Sequence, residues 1–470
     1  MIINSRTKIS LLFSYHLLTC IFILIQFSCR NTEEKSFKSS PVYSDEIATI
    51  IYKNCTPCHR PGSGAPFDLV TFNDVIKHLH TIQLTINERL MPPWPADTSY
   101  SHFREEKVLT KNELFLLNKW IDGGAPIGDV SKIPNPPEFF NQSRFGKPDL
   151  IIKMREAFII KGNNKDNFIM LKIPYELPND TFIRGIEIVP GNKKLVHHIN
   201  AHLVQYEAGA KKNIFSGLPF VDTETNDKPV AFTKLDLKND NGTYPLLTPS
   251  VTNYLPGVET SFYPSGIGGY RIKKSGVLLL DNIHYGPSPI DTTDQSSFNI
   301  FFQPTPPARP VKEFILGTSG ISIIEPPLVV PANSIQKFIT SYIVPEDISL
   351  LTINPHMHLL GISFKAYVLL PNGDTLPLIR IPKWDFRWQY FYTFKKIKKI
   401  PAKSVIRVEG IYDNTEKNPL NPFHPPRTIS EREGSMRTTD EMFQLICTYI
   451  PYIPGDENIS LEKKLNLDEK

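Results

Sequence analysis

Three groups of residues in this 470-residue chain have the types and spacing of chemistry rather than of packing. The first is Cys55-Thr56-Pro57-Cys58-His59. A Cys-x-x-Cys-His run offers two thiols for thioether bonds to haem vinyl groups and sets the adjacent histidine under the iron, the pattern of c-type haem attachment. A structural zinc site needs more ligands at matching spacing, and the five cysteines of this chain include no second Cys-x-x-Cys. The iron's sixth ligand is expected to be a Met or a His. Met91, in Arg89-Leu90-Met91-Pro92-Pro93-Trp94, is the leading candidate because the prolines would hold it in a rigid loop. His78, His80 and His102 are alternatives. His78 and His80 lie two apart in an expected helix and point in different directions, so at most one of them reaches the iron.

The second and third groups are histidines in a β-rich region. His356 and His358 frame Met357, and residues i and i+2 of a strand face one side, so both can grip one metal. His197 and His198 are adjacent and would face opposite sides of a regular strand. They can bind one ion only where the strand ends or bulges. His284 stands in Asp281-Asn282-Ile283-His284-Tyr285-Gly286. Imidazole suits Zn, Cu, Fe and Ni, while a thioether leans towards Cu(I). The bland alternatives are solvated strand-face histidines and a polar strand end. His202 is read as a spare ligand or a residue backing one, His424 has no role, and the aromatic run Trp384–Tyr390 is read as core packing.

The elements that must position these residues follow from composition and punctuation. The 42 prolines are about 9% of the chain against roughly 5% in ordinary proteins, which disfavours long helices and favours strands and turns. A helical stretch is expected over 45–54. A second opens at the capping box Thr110-x-x-Glu113 and stops at Gly123-Gly124. Asn372-Gly373 between two apolar runs is a hairpin signal. Proline-rich breaks at 134–138 and 304–310 divide the chain. These signals predict a haem domain over 43–128, a linker over 129–148, two antiparallel β-sandwich or jelly-roll lobes over 149–303 and 311–455, and a polar tail over 456–470. The flanking helices of the haem segment, with its Met-Pro-Pro-Trp loop, resemble a small all-α class I cytochrome c.

Residues 149–455 resemble the copper type II monooxygenases, the family of peptidylglycine α-hydroxylating monooxygenase and dopamine β-monooxygenase. Four motifs carry the resemblance in the family's order: His197-His198, His284-Tyr285-Gly286, His356-Met357-His358-Leu359-Leu360-Gly361 and Thr439-Asp440-Glu441-Met442. The resemblance implies two β-sandwich lobes with one copper on each. It implies that His197, His198 and His284 hold an electron-transfer copper, and that His356, His358 and Met442 hold the copper where O2 reacts. The implied activity is hydroxylation of a small organic substrate with O2 and an external reductant, an ascorbate-like donor or a redox protein, with the haem as a further one-electron carrier. Two positions depart from the peptide-amidating members. Asn354 stands where they place an Arg for a substrate carboxylate, and Gln444 and Ile446 stand where they carry Asn and Tyr. The alternative reading is a non-enzymatic haem protein whose β-lobes bind a partner or polymer.

The net charge of +4 excludes the strongly basic balance of a nucleic-acid binder. The cysteines form no disulfide framework, so the fold is held by burial. Residues 1–29, with Arg6 and Lys8 before an apolar run, read as an export signal. It resembles a bacterial lipoprotein signal, which implies lipidation at Cys29, a polar tether over 30–42, and a periplasmic or cell-surface location. An uncleaved membrane anchor is the alternative.

Overall fold

The structure, a computed structural model, describes residues 40–462 apart from 139–142, 144–145, 249, 257–262, 265, 304 and 433–436. The expected export signal, Cys29, most of the tether and the last eight residues lie outside the described residues. No helix among the described residues is long and apolar enough to cross a membrane.

Five short α-helices are described. After a π-helical turn at Tyr43–Ile47 come α1 (Ala48–Asn54), α2 (Phe72–Lys77), α3 (Leu79–Asn87) and α4 (Lys111–Asp122); α5 (Lys228–Lys234) lies far along the chain. The capping box at α4 forms as its residues dictate. Thr110 Oγ1 accepts from the Glu113 amide at 3.1 Å, and Glu113 returns a bond from the Thr110 amide at 2.7 Å. Thr71 and Asp74 do the same at α2. The apolar faces of α1 to α4 meet around Ile51, Leu117 and Trp120.

Strands make up most of the remaining architecture, and all their pairings within sheets are antiparallel. The first lobe contains β1 (Leu150–Lys153), β2 (Asn167–Glu176), β3 (Thr181–Val189), β4 (Val196–Gln205), β5 (Ser275–Tyr285) and β6 (Ser297–Gln303). One sheet runs β1-β6-β3 and ends on Tyr270–Ile272. The other runs β2-β5-β4 between the short strands Phe220–Asp222 and Leu246–Leu247. Inward residues of both sheets, such as Ile186 and Phe298 from one and Ile199 and Leu280 from the other, share one core. The second lobe contains β7 (Lys312–Gly317), β8 (Ile335–Ile343), β9 (Ile348–Met357), β10 (Gly361–Leu369), β11 (Thr375–Ile381), β12 (Tyr392–Ile400), β13 (Val405–Asp413) and β14 (Phe443–Pro451). Its sheets run β7-β14-β9-β12 and β8-β13-β10-β11, the latter extended by Ile324–Glu325. The β10–β11 hairpin turns at Asn372-Gly373, where Gly373 has φ +91°, open to glycine at no steric cost.

The fold-class expectation needs correction. A small all-α cytochrome c-like domain followed by two sandwiches is not what the chain forms. The described structure is mostly curled β-sheet, and no self-contained all-α domain is present among the described residues. The longest helix has 12 residues, and 88–110 contains no helix. The physical reason lies in that stretch. Pro92, Pro93 and Pro95 cannot donate to a helical ladder, and the chain around them is committed to the second lobe. Ala96 and Phe103 are buried in that lobe's core, with Trp94 packed against it. Asp97 pairs with the Arg380 guanidinium, Nε to Oδ2 at 2.8 Å. The helices are therefore an appendage of a β body, not a separate domain.

Candidate functional site

His197 and His198 sit at the start of β4, and His284 near the end of β5. The β4–β5 register pairs Ile283 with Ile199, His284 with His198, then Tyr285 with Val196. His197 is the unpaired extra residue of a β-bulge, so it escapes the alternation that would send it to the far face. The three imidazoles then converge, with centroids 4.9 Å (His197–His284), 5.1 Å (His198–His284) and 5.8 Å (His197–His198) apart. One ring nitrogen from each lies within 4.8 Å of the others.

The Tyr-Gly of the His-Tyr-Gly motif fixes this corner. Tyr285 is fully buried and donates its hydroxyl to Asp294 Oδ2 at 2.9 Å. Asp294 Oδ1 accepts from the Asn192 amide at 2.8 Å, and the Gly286 amide donates to the Leu195 carbonyl at 2.8 Å. The loop entering β4 is thereby tied to the end of β5.

His284 Nε2 lies 2.6 Å from Asp166 Oδ1, so that nitrogen carries the proton and Nδ1 is left bare. The hydrogen bond from His284 holds the Asp166 carboxyl below its ordinary pKa. The His284 ring stacks on Phe168 at 4.3 Å. His284 Nδ1 and His198 Nε2 are buried with no hydrogen-bond partner. A buried nitrogen without a partner is costly unless something else occupies its lone pair. A metal ion fits that requirement.

The second group lies at the end of β9, with His356 on the strand and His358 just past it. His356 and His358 have centroids 5.0 Å apart, nearly perpendicular at 86°. His356 Nδ1 donates to Gln389 Oε1 at 2.5 Å, and His358 Nδ1 donates to the Asp440 carbonyl at 2.9 Å. His356 Nε2 therefore carries the lone pair, while His358 is held by the Arg437 backbone as well. Glu441 accepts from the amides of His358 at 3.1 Å and Leu360 at 2.8 Å, clamping the chain before Met442 to the turn after His358. The β9–β14 ladder ends at Met357 opposite Phe443, one step short of a pairing of His358 with Met442. The Met442 carbonyl accepts from the Tyr412 hydroxyl at 2.7 Å. Burial lowers His197 to about 4 and His356 to about 3, and lowers His198 and His358 as well; neighbouring imidazoles add to the effect at His197, His198 and His356. All four rings are neutral near pH 7, the ligating form.

A segment read from the sequence as core packing brings the two groups together. The loop between β11 and β12 carries Phe386, which lies 6.4 Å from His198 and 5.7 Å from His358, nearly edge-on to both. Trp388 of the same loop lies 6.0 Å from His197. Trp384, Phe386 and Tyr390 are buried as a packing role requires, yet the loop also reaches both histidine groups. A cavity of about 720 Å³ opens beside Asp166 and Phe168, bounded also by Phe158, Phe220, Glu224 and Thr438.

At the Cys-x-x-Cys-His run, Cys55 caps α1 and the His59 amide bonds the Cys55 carbonyl at 2.9 Å. Both cysteines are free thiols. Burial, with Cys58 alongside, pushes the Cys55 thiol up to about 12, which is the reverse of an activated redox thiolate. His59 Nδ1 donates to the Phe67 carbonyl at 2.9 Å, leaving Nε2 bare, and burial lowers its pKa. Two unoxidised thiols beside an oriented neutral imidazole fit covalent haem. Met91 is 37% exposed on the loop after α3, and no hydrogen bond or ring contact among the described residues joins it to His59. Of the alternatives, His78 stacks on Phe67 at 3.8 Å, and Phe67 in turn touches His59. His80 is exposed, and His102 pairs with Glu106 at the surface.

His202 is not spare. Its Nδ1 lies 3.0 Å from the Thr248 carbonyl and its Nε2 3.3 Å from Asp281. Asn354 is buried and donates to the Tyr390 carbonyl at 2.9 Å, holding the aromatic loop, and Gln444 donates to the Thr318 carbonyl at 2.6 Å. Neither amide is free to meet a ligand. His424 is exposed. Asp166, Phe386, Gln389 and the Asp440 carbonyl were not identified from the sequence. Asp440 lies in the Met-ligand motif and Phe386 and Gln389 in the aromatic run, but each supports a histidine through a contact between distant segments that spacing does not reveal.

No family model and no curated protein match the chain. Among solved structures, one of PNGF-II is 10% identical, with 64% of this chain and 65% of that one covered and a TM-score of 0.24. The major capsid protein P2 of bacteriophage PM2 is 9% identical over 65% of this chain and 99% of its own, with a TM-score of 0.23. The VP2 subviral particle of infectious bursal disease virus is 8% identical over 68% and 75%, with a TM-score of 0.17. Likenesses this distant carry no argument about fold or function.

Proposed function

We propose that this chain is an exported copper-dependent monooxygenase, of the kind the copper type II family represents, that hydroxylates an organic substrate with O2. In this reading His197, His198 and His284 hold one copper, while His356, His358 and Met442 hold the other. Cys55, Cys58 and His59 carry a covalent haem, with Met91 or His78 as the sixth ligand, and Cys29 anchors the chain to a membrane through lipid. Copper would supply O2 binding and one-electron chemistry, with the haem as a store of single electrons.

The observation that carries the reading is the convergence of His197, His198 and His284, with nitrogens within 4.8 Å and buried lone pairs unpartnered. A second, neutral pair of imidazoles lies beyond one phenyl ring. The chain's own residues then have defined tasks. Asp166 and Gln389 fix which nitrogen of His284 and His356 is free, and the Asp440 carbonyl holds the His358 ring. Phe386 excludes water from the space between the groups.

Metal analysis of the full chain, with X-ray absorption on the reduced protein, tests this. Two coppers and one iron per chain are expected, with sulfur scattering at one copper that disappears in Met442→Ala. Protein that takes up iron but no copper, or copper with no sulfur ligand, overturns the monooxygenase reading and leaves the binding-module alternative.

A further inference from the structure

One run of aromatic contacts leads from the loop that carries Met91 to the first histidine group. The Met91-Pro92-Pro93-Trp94 loop meets Tyr390 twice. The Tyr390 hydroxyl donates to the Pro93 carbonyl at 2.7 Å, and the Trp94 and Tyr390 rings are 5.4 Å apart. Tyr390 is followed by Trp388, 6.2 Å away and stacked within 16°, and Trp388 by His197 at 6.0 Å. No aliphatic residue interrupts the sequence of rings. Its outer end is the loop that carries Met91, a candidate iron ligand in the reading above.

Trp94, Trp388 and Tyr390 all pack in or against the second lobe's core. Gln389 sits between the two rings in sequence yet turns away from them to His356. The i, i+2 spacing is what sets Trp388 and Tyr390 side by side and passes the run on to His197.

We infer that Trp94, Tyr390 and Trp388 are an electron path from the haem to the copper held by His197, His198 and His284. The inference rests on the haem and copper assignments above. One electron leaves ferrous haem, which becomes ferric, and reduces a cupric ion to cuprous; no proton moves and no bond breaks. Burial holds the Tyr390 hydroxyl far above its ordinary pKa, so the ring bridges in its neutral phenol form. These are positioning residues: none touches substrate or O2. Entry at the first group gives direction, because the second group is then reached from the first across Phe386.

The test uses the full chain loaded with haem and Cu(II), without O2. A flash-generated flavin radical reduces the haem, and its absorbance reports reoxidation while freeze-quench EPR reports loss of Cu(II). Wild type should show a first-order reoxidation independent of protein concentration. Trp388→Leu should slow it by about tenfold or more, about 1.4 kcal/mol of added barrier, while Trp388→Phe, which keeps a ring, should recover most of the rate. His284→Ala should abolish the fast phase.

Haem and copper both bound, with an unchanged rate in Trp388→Leu, overturn the path and leave the proposed function standing. So does a rate that scales with protein concentration. A fast phase that persists in His284→Ala overturns it too, by showing delivery through Gln389 to His356. A chain that binds no copper or no haem fails earlier, at the assignment beneath.

Discussion

A ligating histidine is oriented by whatever holds its other nitrogen, and in this protein three rings have such a holder. His284 has a carboxylate, His356 a side-chain amide oxygen and His358 a backbone carbonyl. The carboxylate is the strongest acceptor of the three, because it accepts a charge-assisted bond. Asp166→Ala should therefore lower copper affinity at the first group by roughly 10- to 100-fold, read by titration against a competing chelator. Asp166→Asn, which keeps an acceptor oxygen, should lose less. Unchanged affinity in Asp166→Ala would mean that the bond does not orient the ring. At this scale the sequence disclosed the ligand candidates and concealed their partners. A motif displays what lies within a few residues of itself, whereas Asp166 is 118 positions from His284.

The bulge at His197 is a property of two strands, not of one. Strand alternation, read along β4 alone, sends His197 and His198 to opposite faces. The skipped pairing opposite Tyr285 reverses that result, and it depends on β5, some 85 residues on. Tyr285 holds the two strands in this register through Asp294. Tyr285→Phe should cost about 2 kcal/mol, the usual worth of a hydrogen bond to a charged group, measured as a shift in the urea midpoint. It should also weaken copper binding at His197 without altering the haem spectrum. Loss of stability with full copper affinity would show that the bulge survives without its tie. The hairpin at Asn372-Gly373 was legible because its signal is local. The reach of the loop between β11 and β12 to both histidine groups was not, because aromatic residues on a buried loop and at a site between lobes have the same composition.

For the whole molecule, the β-rich character followed from proline and turn residues, but the fate of the helical segment did not. Asp97 and Arg380 are 283 positions apart, and nothing in either neighbourhood announces the other. Phe103 is fully buried in the second lobe's core, 5.1 Å from Phe394 and 4.9 Å from Tyr392. Phe103→Ala should cost about 3–5 kcal/mol and should lower the stability of the second lobe itself, seen as faster amide exchange in β12. Confinement of the effect to α1–α4 would restore a separate domain. The loop carrying Phe386 and Trp388 has a consequence for biogenesis. It is synthesised long after His197, His198 and His284, so a nascent chain displays three imidazoles before the rings that cover them exist. On the copper reading, a cation captured then would sit in an open, wet cluster and exchange freely. The arrival of the second lobe would turn capture into retention, so the order of folding, as much as the ligand set, would select which metal the finished protein keeps.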